Sequence, residues 1–370
     1  MEYKLVCPCI FGLEKIVGFE LRRLGGEEIA VENGKVSCRG DALTVARANI
    51  GLRCAERVLV EVAAFPARSF EELFQGVLAV DWAAYIPKNG AFPVKGWSLA
   101  SQLASVPDCQ AIVKKAVVEK LKQTHQVFWF EETGERYQIQ FSIHKDQVSI
   151  LLDTSGEGLH KRGYRVHAGE APIKETLAAG IVDLARIREG DIVYDPLCGS
   201  GTLLVEAAMR ALNIAPGLRR TFAAERWQTF DQKAFSLARQ QALDEADPGG
   251  DFEGYGFDID PQAVELTLQN AKLAGVGEKI SARVEDITRH KLQDAGGILL
   301  SNPPYGERML GPAQVKAIHQ ALGKMHRYNN LKSYIITSAP YFEEQFGKTA
   351  DRRRKLYNGE LKCQLYMYYK

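Results

Sequence analysis

Asn302-Pro303-Pro304-Tyr305 is the stretch of this chain best equipped for chemistry. An exocyclic amine on a nucleobase is a poor nucleophile, because its lone pair is delocalised into the ring. The Asn302 side-chain oxygen and the Pro303 carbonyl can each accept one hydrogen of such an –NH2 group. Held by both, the nitrogen is drawn out of the ring plane and its lone pair is localised toward an incoming methyl. Tyr305 offers a flat face on which an unstacked base can lie. Pro303 and Pro304 fix φ and donate no backbone hydrogen bond, so the turn after Asn302 is stiff.

These groups need a strand to aim them. The apolar run Gly297–Leu300 reads as a buried parallel strand, and ligands bind beyond the carboxyl ends of such strands in open α/β sheets. A second strand, Asp191–Asp195, runs into Pro196-Leu197-Cys198-Gly199-Ser200-Gly201-Thr202, with a helix over 203–212. Strand, glycine turn and helix in that order suit a nucleoside, since Gly199 and Gly201 let backbone approach the ligand. Leu204 stands where the dinucleotide fingerprint has its third glycine. Asp195 would face a ligand's positive amino group better than a pyrophosphate. Both departures favour S-adenosylmethionine (SAM) over NAD. A third strand, 254–258, ends in Asp258, placed to accept from two ribose hydroxyls. A fourth, 280–284, is followed by Asp286, which can accept from an adenine amine. Residues 215–251 interrupt this pattern with helical periodicity, as either a lid or a packing element. A helix over 312–328, a strand over 334–337 and a hairpin around Asn358-Gly359 complete the domain. The expected fold class is α/β, a doubly wound sheet with an antiparallel end.

At 370 residues the chain has room for more than one core, and its net charge of +1 argues against gripping long duplexes by charge alone. The seven cysteines are scattered and odd in number, which reads as reduced thiols in a cytoplasmic protein. No ligand set has metal spacing, so no metal is expected. No run of about 18 apolar residues is present, so no membrane span is expected.

The first part of the chain reads as a small β-α-β-β-α-β unit ending near residue 65, with an Asn33-Gly34 hairpin and Asp41 capping its second helix. From Ser69 a second α+β unit follows, closed by a hairpin around Lys145-Asp146. Its long helix, from Ser105 to Leu121, carries Lys114 and Lys115. They form either a solvated face or a phosphate-binding one. Lys161, Arg162 and Arg165 lie on a glycine-punctuated linker that feeds a helix starting near Pro172, open to the same two readings.

In combination these motifs resemble a known family over nearly the whole chain. Asp195–Thr202, Phe257–Asp260 and Asn302–Arg308 look like class I SAM-dependent methyltransferases acting on exocyclic amines. Arg162–Arg165 with Ala171–Leu177 is similar to the segment joining a THUMP domain to such a catalytic domain. Ser98–Leu103 and Cys109–Ala116 look like part of a THUMP domain behind a ferredoxin-like one. The bacterial 23S rRNA guanine-N2 methyltransferases are the nearest resemblance, similar to the N-terminal half of the fused large-subunit enzyme. The resemblance implies a ferredoxin-like domain at 1–65, an RNA-binding THUMP domain at 66–160 and a Rossmann-like methyltransferase domain at 161–370. It implies methyl transfer from SAM to guanine N2 in structured RNA, 23S rRNA foremost. A tRNA guanine, an adenine N6 or an inactive RNA-binding protein are the alternatives. It implies catalysis by Asn302, Pro303, Pro304 and Tyr305. It implies a cofactor set of Asp195, Pro196, Cys198, Gly199, Gly201, Thr202, Asp258, Ile259, Asp286, Ile287 and Asn302. RNA contacts are expected at Lys114, Lys115, Lys161, Arg162 and Arg165.

Overall fold

The computed structural model describes residues 2–165, 173–289, 296–304, 311–328 and 331–369. Pro172 and Tyr305 lie outside these described residues, as do 306–308 of the motif that contains Tyr305. The chain forms two compact units: residues 1–9, 17–159 and 221–241 make the first, and residues 10–16, 160–220 and 242–370 the second.

In the first unit the elements run β1 (Tyr3–Pro8), α1 (Glu14–Arg23, whose first turn belongs to the second unit), β2 (Glu27–Glu32), β3 (Lys35–Gly40), α2 (Ala42–Gly51) and β4 (Leu59–Pro66). They continue with α3 (Phe70–Leu78), β5 (Val94–Leu99), α4 (Val106–His125), β6 (Ile139–His144) and β7 (Gln147–Asp153). Among the described residues these build a seven-stranded sheet ordered β2-β3-β1-β4-β7-β6-β5. The starts of its helices are written locally. The Asp41 carboxylate accepts the Thr44 N–H at 2.8 Å, and Ser69 and Glu72 form a reciprocal capping box. Residues 221–241, the middle of the 215–251 interruption noted in the sequence, pack within this unit. Trp227 stacks on Tyr137 at 4.9 Å and donates its indole N–H to the Arg136 carbonyl. A packing role, not a lid, is what these contacts describe.

The second unit has α5 (Glu175–Ala185), β8 (Ile192–Asp195), α6 (Thr202–Ala211), α7 (Gln232–Asp244, mostly in the first unit), β9 (Glu253–Asp258), α8 (Pro261–Ala274) and β10 (Ile280–Val284). Then come β11 (Ile298–Ser301), α9 (Pro312–Tyr328), β12 (Lys332–Thr337), α10 (Phe342–Phe346), β13 (Arg352–Asn358) and β14 (Leu361–Tyr368). The described sheet is ordered β10-β9-β8-β11-β12-β14-β13, parallel through β12 and antiparallel at β14. The doubly wound fold with an antiparallel end is therefore present. Strand order reverses between β8 and β11, the crevice where such sheets hold ligands. The strands flanking it are sealed: Val193, Leu299 and Leu300 have no exposed surface. All seven cysteines are buried, and none is in a disulfide.

Candidate active site

The glycine turn leaves β8 at Asp195 and enters α6 at Thr202. Gly199 has φ +54° and Gly201 +73°, conformations that disfavour a side chain. Gly201 is also crowded, since a Cβ there would meet Thr267 at 2.7 Å, whereas a Cβ at Gly199 would point into open space. The turn is gripped from behind by α8. Thr267 donates to the Gly199 carbonyl and Asn270 to the Ser200 carbonyl, each at 2.8 Å. The sequence reading missed both residues. Their signal, two polar residues one turn apart on a helix, is too common to notice without the fold.

Leu204, the apparent gap in the fingerprint, is fully buried. Close packing of helix on strand is achieved from the other side: a Cβ on Gly256 of β9 would come within 3.0 Å of Leu204. The small residue sits on the strand instead of the helix.

Asp258 ends β9 and joins the turn directly, its carboxylate accepting the Gly199 N–H at 2.9 Å and the Asp260 N–H at 3.0 Å. Ile259, beside it, is exposed. Asp195 is buried and accepts a 3.2 Å bond from the Leu197 N–H, and among the described residues no cation pairs with it. Burial pushes its carboxyl up to about 8. Burial likewise pushes the Cys198 thiol up. Asp286 follows β10 and is held ionised by the Thr288 hydroxyl and N–H, with Ile287 buried next to it. Pro196 and Thr202 complete the turn at its two ends.

Asn302 follows β11, the strand paired to β8 in the register Leu299 with Tyr194. It is half-buried, Pro303 is buried and Pro304 half-buried. Asn302 and Asp195 thus leave the carboxyl edge of adjacent strands. This fold brings the turn, Asp258 and Asn302 to one edge. These residues fit SAM: a buried carboxylate, unpaired with any cation among the described residues, for its ammonium, an acid at the second strand for its ribose, and an open glycine turn.

Two of the cations expected to meet RNA, Arg162 and Arg165, are turned inward. Arg162 is only 3% exposed and pairs with buried Glu206 at 3.3 Å, where Tyr164 also donates. Arg165 pairs with Glu175 at 3.0 Å and donates to Thr202 at 2.8 Å, bracing the start of α6. Lys114 meets Glu132 at 2.6 Å and the Phe92 ring at 3.6 Å. Spacing shows how many cations share a segment but not which carboxylates lie beneath it. Lys115 and Lys161 are exposed.

Comparison with known proteins agrees with this geometry. Residues 162–367 match an RMKL-like methyltransferase domain, 4–59 an RlmL ferredoxin-like domain and 67–153 a THUMP domain. A Bacillus subtilis (strain 168) protein named "Putative RNA methyltransferase YpsC" is 43% identical over 100% of this chain and 96% of its own length. The crystal structure of a "predicted N6-adenine-specific DNA methylase" from Listeria monocytogenes str. 4b F2365 is 42% identical, with TM-score 0.94, covering 100% of this chain and 96% of that one. That of SMU.472 complexed with SAH is 41% identical, with TM-score 0.92, covering 100% and 98%. SAH is what SAM becomes once its methyl is given up. With the catalytic domain spanning more than half of the sequence and a relative matching it end to end, the chain belongs to the RMKL-like methyltransferases, a THUMP-containing family that uses SAM.

Proposed function

We propose that this protein methylates the exocyclic N2 of a guanine in structured RNA, with 23S rRNA as the foremost substrate. The observation that carries the reading is the position of Asn302-Pro303-Pro304 at the end of β11, beside the Asp195 turn on β8. SAM supplies a methyl group already activated on a sulfonium. The chain's task is then alignment and desolvation, with no metal required. Asn302 and the Pro303 carbonyl hold the two amine hydrogens, Pro304 stiffens the turn, and Tyr305 stacks the base. Asp195, Asp258 and Asp286 hold the ammonium, ribose and adenine of the cofactor, with Pro196, Cys198, Gly199, Gly201, Thr202, Ile259 and Ile287 around them.

The THUMP match and the name of the Bacillus subtilis relative, an RNA methyltransferase, support RNA over DNA. Domain limits near residues 65 and 160 belong to the same reading, as does a cytoplasmic location. Among the described residues no helix is long and apolar enough to cross a membrane. The test is mass spectrometry of nucleosides from rRNA and tRNA of a deletion strain and its complemented parent. Loss of N2-methylguanosine from large-subunit rRNA is expected. Loss from tRNA alone, loss of N6-methyladenosine, or no loss at all would each overturn the proposal.

A further inference from the structure

The rows of the catalytic sheet give its last hairpin a height relative to the site. Ser301 of β11 pairs with Ile335, Ile335 with Tyr366, and Tyr366 with Arg353 of β13, so these four stand in one row. Two rows further, β12 ends at Thr337, which pairs with Gln364 opposite Lys355. The hairpin does not end there. Leu356–Cys363, Tyr357–Lys362 and Asn358–Leu361 add three more rows. At about 3.4 Å per residue, β13 and β14 rise roughly 10 Å past the end of β12. Asn302 leaves the sheet one row above Ser301. The hairpin therefore stands beside the mouth of the site, three strand spacings or about 14 Å to one side.

The face it shows is specific in composition. Lys355, Tyr357 and Lys362 share one side of the hairpin, because alternate residues share a face and Tyr357 is paired with Lys362. Lower down, that side carries Tyr366 into the core beneath α10, with Arg353 paired to Glu343. Above α10, Lys355 and Lys362 are exposed and Tyr357 half-exposed. Lys355 lies 5.2 Å over the Tyr357 ring. Phe11, 56% exposed, meets Tyr357 edge-on at 6.3 Å. It comes from residues 10–16, the N-terminal piece that belongs to this unit. Glu360 at the tip is the one acid of the exposed rows.

Two aromatic rings flanked by two ammonium groups are the ingredients of a single-strand nucleic-acid platform, in which bases stack and phosphates are neutralised. Inward pairing of Arg162 and Arg165 leaves the RNA reading in need of other cations near the chemistry. We infer that the β13–β14 hairpin, through Lys355, Lys362, Tyr357 and Phe11, binds the unpaired nucleotides flanking the target base. This assignment rests on the proposal that the substrate is RNA.

The full-length chain carrying Lys355→Glu and Lys362→Glu tests it, with Lys355→Gln and Lys362→Gln as the milder pair. The probe is an RNA fragment that the wild-type chain methylates, with an unpaired stretch around the target. KM for this RNA should rise about tenfold or more in the charge-reversed protein, and less in the Gln pair. The log–log salt slope of binding should flatten by about 1.4, at roughly 0.7 per phosphate on a single strand. SAM affinity and kcat at saturating RNA should stay within about twofold. An unchanged KM and salt slope in both pairs, with RNA methylated normally, would overturn the hairpin assignment alone. Methylation of duplex DNA and no RNA by the wild-type chain would overturn the substrate reading and the hairpin's ligand with it.

Discussion

The carboxylate of Asp258 accepts the backbone N–H of Gly199 at 2.9 Å, so the acid of one strand holds the glycine turn of its neighbour. Its other oxygen accepts from Asp260. Both bonds fix the orientation of the carboxylate, which keeps further lone pairs for other donors. Replacing Asp258 with Ala should weaken SAM binding by about 1–3 kcal/mol, since ribose hydroxyls lose their acceptor and the turn loses its anchor. Calorimetry without RNA measures this. Unchanged affinity removes Asp258 from the site.

Asn302 should separate binding from chemistry. Asn302→Ala should leave SAM affinity within about 1 kcal/mol yet cut kcat roughly 10²-fold or more, as one transition-state hydrogen bond is worth on the order of 3 kcal/mol. Tyr305→Phe should be mild and Tyr305→Ala severe, because roughly 1–3 kcal/mol of stacking leaves with the ring. Single-turnover methylation reads all three. Near-normal turnover in Asn302→Ala ends the amine-orienting role.

Asp195 should make the cofactor-free protein sensitive to pH. Its carboxyl is raised to about 8 by burial. Between an unfolded value near 4 and that folded value, the native state binds the extra proton. Stability from this group is therefore whole below about pH 4 and is lost as pH rises toward 8. Asp195→Asn should flatten the decline in melting temperature between pH 5 and 8. A cationic ligand beside Asp195 should also expel the proton, so SAM binding at pH 7 should release it. Titration calorimetry in buffers of different ionisation enthalpy detects that release. Its absence, or the same pH profile in the variant, would refute the assignment.

Arg162 should matter to stability and not to RNA. Arg162→Ala strands the buried Glu206 carboxylate, a loss of about 3–5 kcal/mol in urea unfolding. Arg162→Met with Glu206→Leu should recover much of it, because no charge is then left unpaired. A variant with normal stability and weakened RNA binding would restore the phosphate-contact reading.

Which parts were readable from sequence follows from where the information lies. Asp41, Ser69 and Pro261 start helices through contacts within three residues, so their elements were legible. The hairpin at Asn33-Gly34 was legible for the same reason, whereas the one expected around Asn358-Gly359 turns one residue later, at Gly359-Glu360. Asp195, the glycine turn, Asp258 and Asn302 could be ordered because each ends a strand and parallel strands align their ends. Thr267 and Asn270 were not legible, since their bonds to the turn cross about seventy residues. Nor was the fate of Arg162, whose partner Glu206 looks like any helix acid. The interruption after residue 215 showed helical period and aromatics, but a hydrophobic face does not say which of two cores receives it.

The first unit takes residues 221–241 from the middle of the catalytic sequence, and the second takes residues 10–16 from near the start. On the ribosome the N-terminal unit cannot finish its core when Leu159 emerges. Trp227, Phe230 and Phe235 must still be made, and at about 5–20 residues per second that takes on the order of ten seconds. During that interval the ring of Tyr137 lacks its stacking partner and is open to chaperones. The two units come off the ribosome interleaved, and the last piece of the first arrives before the catalytic sheet has its central pair of strands.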